Sequence, residues 1–162
     1  SLYSRLYNLD TVSLRYFNVY SEDQPADGPY TTAIANFMEY IRKNKTPFIT
    51  GTGEQRRDMV HVEDVVSANI FAMKYKKPFT GATYDVGTGQ NISLNEIKDI
   101  VCSVFPDLEF EYLPPRQGEV LSTKANTHSF RRLGWRSRIN IEQGVEFCFK
   151  KLKKQLRRNK NA

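Results

Sequence analysis

Short runs of β-branched and aromatic residues, each cut off by a turn or a polar stretch, alternate along this chain with segments in which apolar residues return every three or four positions. That alternation constrains the fold more than any other feature, because strands interleaved with helices specify an α/β architecture. The strand-like runs are Val12–Phe17, Phe48–Ile49, Met59–Val62, Tyr84–Val86 and Glu109–Leu113, the last alternating as an exposed edge strand does. Helical spacing begins at Tyr30, with Ile34, Phe37, Met38 and Ile41, and resumes from Glu63 to Lys77, with Val66, Ile70 and Met73 on one face. A final stripe joins Ile141, Val145, Cys148, Leu152 and Leu156. Upstream of the first strand, Leu2, Leu6 and Leu9 read as the tail of a helix that begins before Ser1, so the chain is expected to be cut from a longer one.

Helix ends are legible too. Ser93-Leu94-Asn95-Glu96 forms a capping box, in which the serine hydroxyl accepts from the third helical amide and the glutamate reaches back. It predicts a helix with Leu94, Ile97, Val101 and Val104 facing the core, stopped by Pro106. Arg131–Gly134 reads as a short helix with a glycine stop, and Asn140 as the cap of the last helix. Glu63 and Asp64 suit the N-terminus of the helix they open.

With 162 residues, 40% hydrophobic and 26% charged, the chain can bury a core as a single globular domain. No apolar run approaches the ~20 residues that span a bilayer, and the first residues lack the pattern of a signal peptide. The expectation is a cytoplasmic protein without a membrane partner. Cys102 and Cys148 lie in apolar helical patterns, with no CxxC and no histidine at ligand spacing, which predicts reduced core thiols and no metal site. The net charge of +6 raises nucleic acid as a partner, but seven of the 24 lysines and arginines crowd residues 150–160, leaving 17 basic against 18 acidic residues elsewhere. The basic run therefore reads as a solvated helix end, and no nucleic-acid partner is expected.

Two glycine triplets, Gly51-Thr52-Gly53 and Gly87-Thr88-Gly89, raise the question of a dinucleotide loop, but Arg56 and Ile92 stand where the G-x-G-x-x-G pattern needs its third glycine. Both read as tight turns. His61 and His128 lie in no hydrolase-like surroundings and read as structural. More informative are Arg56-Arg57-Asp58, just after a glycine turn, and Arg116-Gln117-Gly118-Glu119, just after a double proline. A guanidinium on a rigid turn suits forked bonding to phosphate, though an isolated surface arginine equally forms an ion pair.

Taken in order, Leu14-Arg15-Tyr16-Phe17-Asn18-Val19-Tyr20, the stretch from Gly51 to Val65 with Gln55 and Arg57-Asp58-Met59-Val60-His61-Val62, Tyr84-Asp85-Val86-Gly87-Thr88-Gly89, Pro114-Pro115-Arg116 with Gly118-Glu119, and Leu133-Gly134-Trp135 resemble the landmarks of the NAD-dependent nucleotide-sugar epimerase/dehydratase family. The pattern is most similar to the UDP-glucose and UDP-N-acetylglucosamine 4-epimerases and covers nearly the whole chain. The resemblance implies the C-terminal portion of an extended short-chain dehydrogenase fold, a small mixed sheet with packed helices. It also implies that Asn18 contacts a substrate diphosphate, that Arg57 and Arg116 bind its phosphates, that Glu119 bonds the ribose, and that Phe48 and Thr50 pack around uracil.

Departures from the family pattern qualify the resemblance. Ser21-Glu22-Asp23 stands where the family continues Gly-Pro-Arg, and Asn126 where it has Asp. The family's glycine-rich NAD loop and its Tyr-x-x-x-Lys proton-transfer pair have no match here. The resemblance therefore implies a full-length enzyme that oxidises a UDP-sugar transiently at C4 with NAD, and a chain that by itself holds the UDP-sugar, binds no NAD and is inactive. Residues 1–29 are expected to be a remnant of the nucleotide-binding sheet and loop, 30–149 a substrate-binding domain, and 150–162 the basic helix end and tail. The remnant's exposed surface predicts contact with a missing N-terminal Rossmann half, or self-association. A stand-alone non-enzymatic binding module, and a fragment of a UDP-glucuronate decarboxylase or a nucleotide-sugar dehydratase, remain alternative readings.

Overall fold

The structure is a computed structural model and describes residues 1–28 and 31–160. In chain order its elements are α1 (Leu2–Tyr7), β1 (Val12–Tyr16), β2 (Asn18–Tyr20), α2 (Ala33–Arg42), β3 (Phe48–Thr50), β4 (Arg56–Arg57) and β5 (Met59–His61). There follow α3 (Val62–Lys74), β6 (Ala82–Val86), β7 (Ile92–Ser93), α4 (Leu94–Val104), β8 (Glu111–Leu113), α5 (His128–Leu133) and α6 (Ile141–Lys160). The α/β expectation holds. Among the described residues the mixed sheet takes the form of two-stranded ladders: β1–β6, β2–β5 and β3–β8 are parallel, and β4–β7 is antiparallel.

The first strand run is longer than expected and changes partner at Phe17. Its amide donates to Val86 O at 3.0 Å, closing the ladder with β6, and the next three residues pair instead with β5. This switch sets Asn18 opposite Met59, beside the Arg57-Asp58 turn.

Local chemistry accounts for the helix starts. Ser93 Oγ accepts from the Glu96 amide at 3.1 Å while Glu96 accepts from the Ser93 amide at 2.7 Å, so the capping box is complete. Asn140 Oδ1 accepts from the Gln143 amide at 3.1 Å, and Thr32 Oγ1 from the Ala35 amide at 3.3 Å. The described part of α2 therefore starts at Ala33; the expected start at Tyr30 lies outside the described residues. Gly134, at φ +111°, ends α5 as its position suggested.

α3 departs from expectation on two counts. Its cap is the His61 ring, whose Nδ1 accepts from the Glu63 amide at 3.3 Å, while the Asp64 carboxylate, buried, accepts from the Arg138 and Ile139 amides. Its buried residues are Asp64, Val65 and Ala68, whereas Val66, Ile70 and Met73 face out, Met73 at 82% exposure. Helical periodicity marks an apolar stripe without saying which stripe meets a neighbour; α3 carries two, and packing on Val60 and Val86 selected the other.

The apolar interior divides into two clusters. The larger joins α2, α4 and α6 through Ile34, Met38, Ile97, Val101, Cys148, Phe149 and Leu152, with Ile49 and Met59 from the strands. Each such side chain, fully buried, contributes roughly 1.5–3 kcal/mol. The smaller gathers Val60, Val65, Val86, Phe130 and Trp135. Cys148 is buried as expected, but Cys102 is only half-buried.

The basic run is helical through Lys160 rather than a frayed end. Lys150 pairs with Glu146, Lys151 with Glu22 and Asp23, and Lys153 reaches the Val104 carbonyl at the C-terminus of α4. No helix among the described residues is long and apolar enough to cross a membrane.

Candidate functional site

Asn18, Phe48, Thr50, Arg57, Arg116 and Glu119, scattered over a hundred positions of sequence, all line one cleft of about 180 Å³. Asp58 organises its floor. That fully buried carboxylate accepts from the Thr88 amide (2.8 Å) and hydroxyl (2.7 Å), the Gly89 amide (2.9 Å) and the Ala125 amide (3.0 Å). Four donors offset the cost of burying the charge and lock the Gly87-Thr88-Gly89 turn against Arg57 and its neighbours. Asn18 Nδ2 donates to the Asp58 carbonyl at 2.8 Å.

Arg57 is pinned by a bond from Nη1 to the Arg56 carbonyl at 3.0 Å, and its Nη2 lies 3.8 Å from Glu119 Oε1. Arg116 stands exposed at the rim, on the turn that follows Pro114-Pro115. The opposite wall is apolar. Phe48 meets the Tyr40 ring edge-on, centroids 5.4 Å apart, beside Phe37 and Ile49. β3 uses only one edge for its ladder: Pro47 O accepts from Glu111 and the Gly51 amide donates to Leu113. By strand alternation the peptide groups of Phe48 and Thr50 point to the other edge, which offers a carbonyl and an N–H side by side.

The cleft thus combines the cations Arg57 and Arg116, one carboxylate, Glu119, and the aromatic side chains Phe37, Tyr40 and Phe48. The histidines lie elsewhere. His61 is buried under α3 and His128 is exposed on α5.

The glycine triplets are tight turns, as their sequence suggested, with Gly51, Gly53 and Gly89 at positive φ. A Cβ on Gly53 would fall 2.1 Å from Asn95 Oδ1, and one on Gly87 would fall 2.5 Å from the Ala125 Cβ. Both glycines are packed closely against the chain's own side chains, which leaves no room for a larger residue at either position.

Glu22, His61 and Cys148 lie together elsewhere, their ligand atoms within 4.8 Å of one another. Nδ1 of His61 accepts from the Glu63 amide, while its buried Nε2 lies 3.5 Å from Glu22 and makes no hydrogen bond among the described residues. Burial pushes the Cys148 thiol up to about 12, and a backbone bond and Lys151 hold the Glu22 carboxyl below its ordinary range. The three lie beside Tyr20, whose ring meets that of His61 edge-on at 5.2 Å. Glu22 and Asp23, where the family pattern has Pro and Arg, are here tied to Lys151 on α6.

A larger groove of about 810 Å³ runs between the C-terminal ends of α2 and α4 and the basic face of α6. Of its four cations, Arg42, Lys45, Lys153 and Arg157, two are engaged within the chain, Arg42 by Glu39 and the Glu22 carbonyl and Lys153 by the Val104 carbonyl and the Phe105 ring.

Sequence reasoning missed several lining residues: Thr31, Thr32, Asn36, Tyr40 and above all Gln55. Gln55 sits inside the Gly-x-Gly-x-Gln-x-Arg pattern, and that position was its available signal. The other four lie along the start and one face of α2, where periodicity speaks only for the core side.

Residues 1–87 match the NAD dependent epimerase/dehydratase family. A putative UDP-glucose 4-epimerase of Methanocaldococcus jannaschii is 36% identical over 149 residues, 90% of this chain and 46% of that protein. CDP-abequose synthase of Salmonella typhimurium is 28% identical over 159 residues, 93% of this chain and 51% of that protein. The crystal structure of the Thermotoga maritima UDP-glucose 4-epimerase with UDP-glucose superposes with a TM-score of 0.84 at 31% identity, over 96% of this chain and 50% of that one. The chain thus spans about half the length of the curated relatives it matches.

Proposed function

Because the chain belongs to the NAD dependent epimerase/dehydratase family, we propose that its cleft holds the nucleoside diphosphate of a UDP-sugar, as the substrate-binding part of a sugar 4-epimerase. The observation that carries this reading is the convergence of Arg57, Arg116, Glu119 and Asn18 on one side of a cleft whose other side is Phe48, Tyr40 and the free edge of β3. The two guanidiniums grip the diphosphate, Glu119 takes the ribose hydroxyls, and Asn18 adds an amide donor. The Phe48 carbonyl and Thr50 N–H meet the polar edge of uracil, which presents a donor and an acceptor at the same spacing.

In this reading the chain binds and presents the sugar, and turns none over alone. NAD belongs to the family's chemistry, and in this reading it is held outside the chain, whose glycine triplets lack the third glycine of the dinucleotide pattern. Residues 1–29 and α3 leave Leu2, Leu6, Tyr16, Ile70 and Met73 exposed. That surface is where a nucleotide-binding half, or a second copy of the chain, would dock.

Calorimetric titration with UDP and with uridine tests the phosphate grip. Arg57→Ala and Arg116→Ala should each weaken UDP by roughly tenfold or more and leave uridine nearly unchanged. Equal weakening of both ligands, or of neither, rejects the assignment.

A further inference from the structure

Gln55 is the polar side chain that joins the two halves of the cleft. Its residue is only 5% exposed, and its amide nitrogen donates to the Thr50 carbonyl at 2.7 Å and to Glu119 Oε1 at 3.3 Å. Both acceptors matter to the site. Thr50 lies on the edge of β3 that faces away from β8, and Glu119 is the cleft's carboxylate, 3.8 Å from Arg57.

That separation is informative. A carboxylate and a guanidinium this close ordinarily settle into a forked pair with bonds near 2.8 Å. Here the Arg57 guanidinium is held back by the Arg56 carbonyl and the Glu119 carboxylate by the Gln55 amide, so the two stay apart with bonding capacity to spare. Without the amide, Glu119 would close on Arg57, taking the carboxylate from a ribose and the cation from a phosphate together.

We infer that Gln55 is a positioning residue: it fixes Glu119 at a set distance from the β3 edge and from Arg57, and thereby sets how strongly the site selects a ribose bearing its hydroxyls. This rests on the nucleotide reading of the cleft. Gln55 touches no ligand in this account; it acts through Glu119.

The test compares UDP with 2′,3′-dideoxy-UDP by calorimetry. The unsubstituted chain should prefer UDP by roughly ten- to a hundredfold, the worth of hydrogen bonds to a charged group. Glu119→Ala should abolish that preference, Gln55→Leu should abolish most of it, and the double substitution should add nothing further. Gln55→Glu keeps the shape and guards against a folding defect in the leucine variant. It sets two carboxylates side by side, which share a proton at low pH. The preference should then be lost near pH 8 and return toward about pH 5, a profile that a purely structural glutamine would not give. A UDP preference that survives Gln55→Leu, or a pH-independent preference in Gln55→Glu, overturns the inference alone. Absence of UDP binding by the unsubstituted chain overturns the nucleotide reading and this inference with it.

Discussion

The region built from α2, α4 and α6 and the region built from α1, β1 and α3 share one chain and differ in how they treat apolar side chains. In the first, Ile34, Met38, Ile97, Val101, Phe149 and Leu152 are almost wholly buried, and the cleft opens over them. In the second, Leu2, Leu6, Tyr16, Ile70 and Met73 face outward, and α1 buries no residue. Isolated exposed apolar residues need no explanation, but a set on one region of the molecule marks a surface made to be covered. The cleft thus rests on a packed interior, while the region beside it keeps apolar side chains at its surface.

Substitutions can break or sharpen that contrast. The largest effect is expected from Phe149→Ala, which opens a cavity in the cluster beneath the cleft and should cost about 3–5 kcal/mol in chemical denaturation; a cost under 1 kcal/mol would mean the first region is not the stable one. Next comes Asp58→Asn, which removes the charge that four donors share around the Gly87-Thr88-Gly89 turn. It should cost about 3 kcal/mol and weaken UDP as well, because Asp58 sets the Arg57 backbone.

A smaller effect is expected at the start of α4. Ser93→Ala should cost about 1 kcal/mol near neutrality. The backbone bond from Ser93 holds the Glu96 carboxyl below its ordinary value of 4.5. A carboxyl lowered in the folded state stabilises fully above its unfolded value, and that contribution disappears as the pH falls through the lowered one. Glu96→Gln should therefore destabilise near neutrality and match the unsubstituted chain in strong acid; a gap that widens in acid would contradict the capping box. The smallest change in stability, within about 0.5 kcal/mol, is expected for Met73→Ser. Its readout is association: sedimentation should show less self-association than for the unsubstituted chain, and no change would remove α3 from the docking surface.

The same contrast explains what the sequence made legible. Elements with local signals were readable: the capping box at Ser93, the glycine stop at Gly134, the stripe on α6 and the strand runs near Met59 and Tyr84. The arginines and Glu119 could be named because they stand in an ordered set of motifs, Arg57 in a strand that follows a glycine turn and Arg116 after a double proline, and the fold brings them to one cleft. What escaped depends on distant partners. The outward face of α3 was decided by Val60 and Val86, and the cap of that helix by a histidine, because Asp64 turns to amides more than 70 positions away. β2, β4 and β7 are two or three residues long, too short for any period to show. Gln55 stood in plain sight inside a motif, but its importance lies in two acceptors, one of them 64 residues on.

The central claim is that this chain carries a nucleoside-diphosphate site without a dinucleotide site. Parallel calorimetric titrations of the same chain with UDP and with NAD test it most directly. Saturable UDP binding that Arg57→Ala weakens at least about tenfold, with no heat from NAD, is the predicted result. Tight NAD binding, or UDP binding indifferent to Arg57, would contradict it.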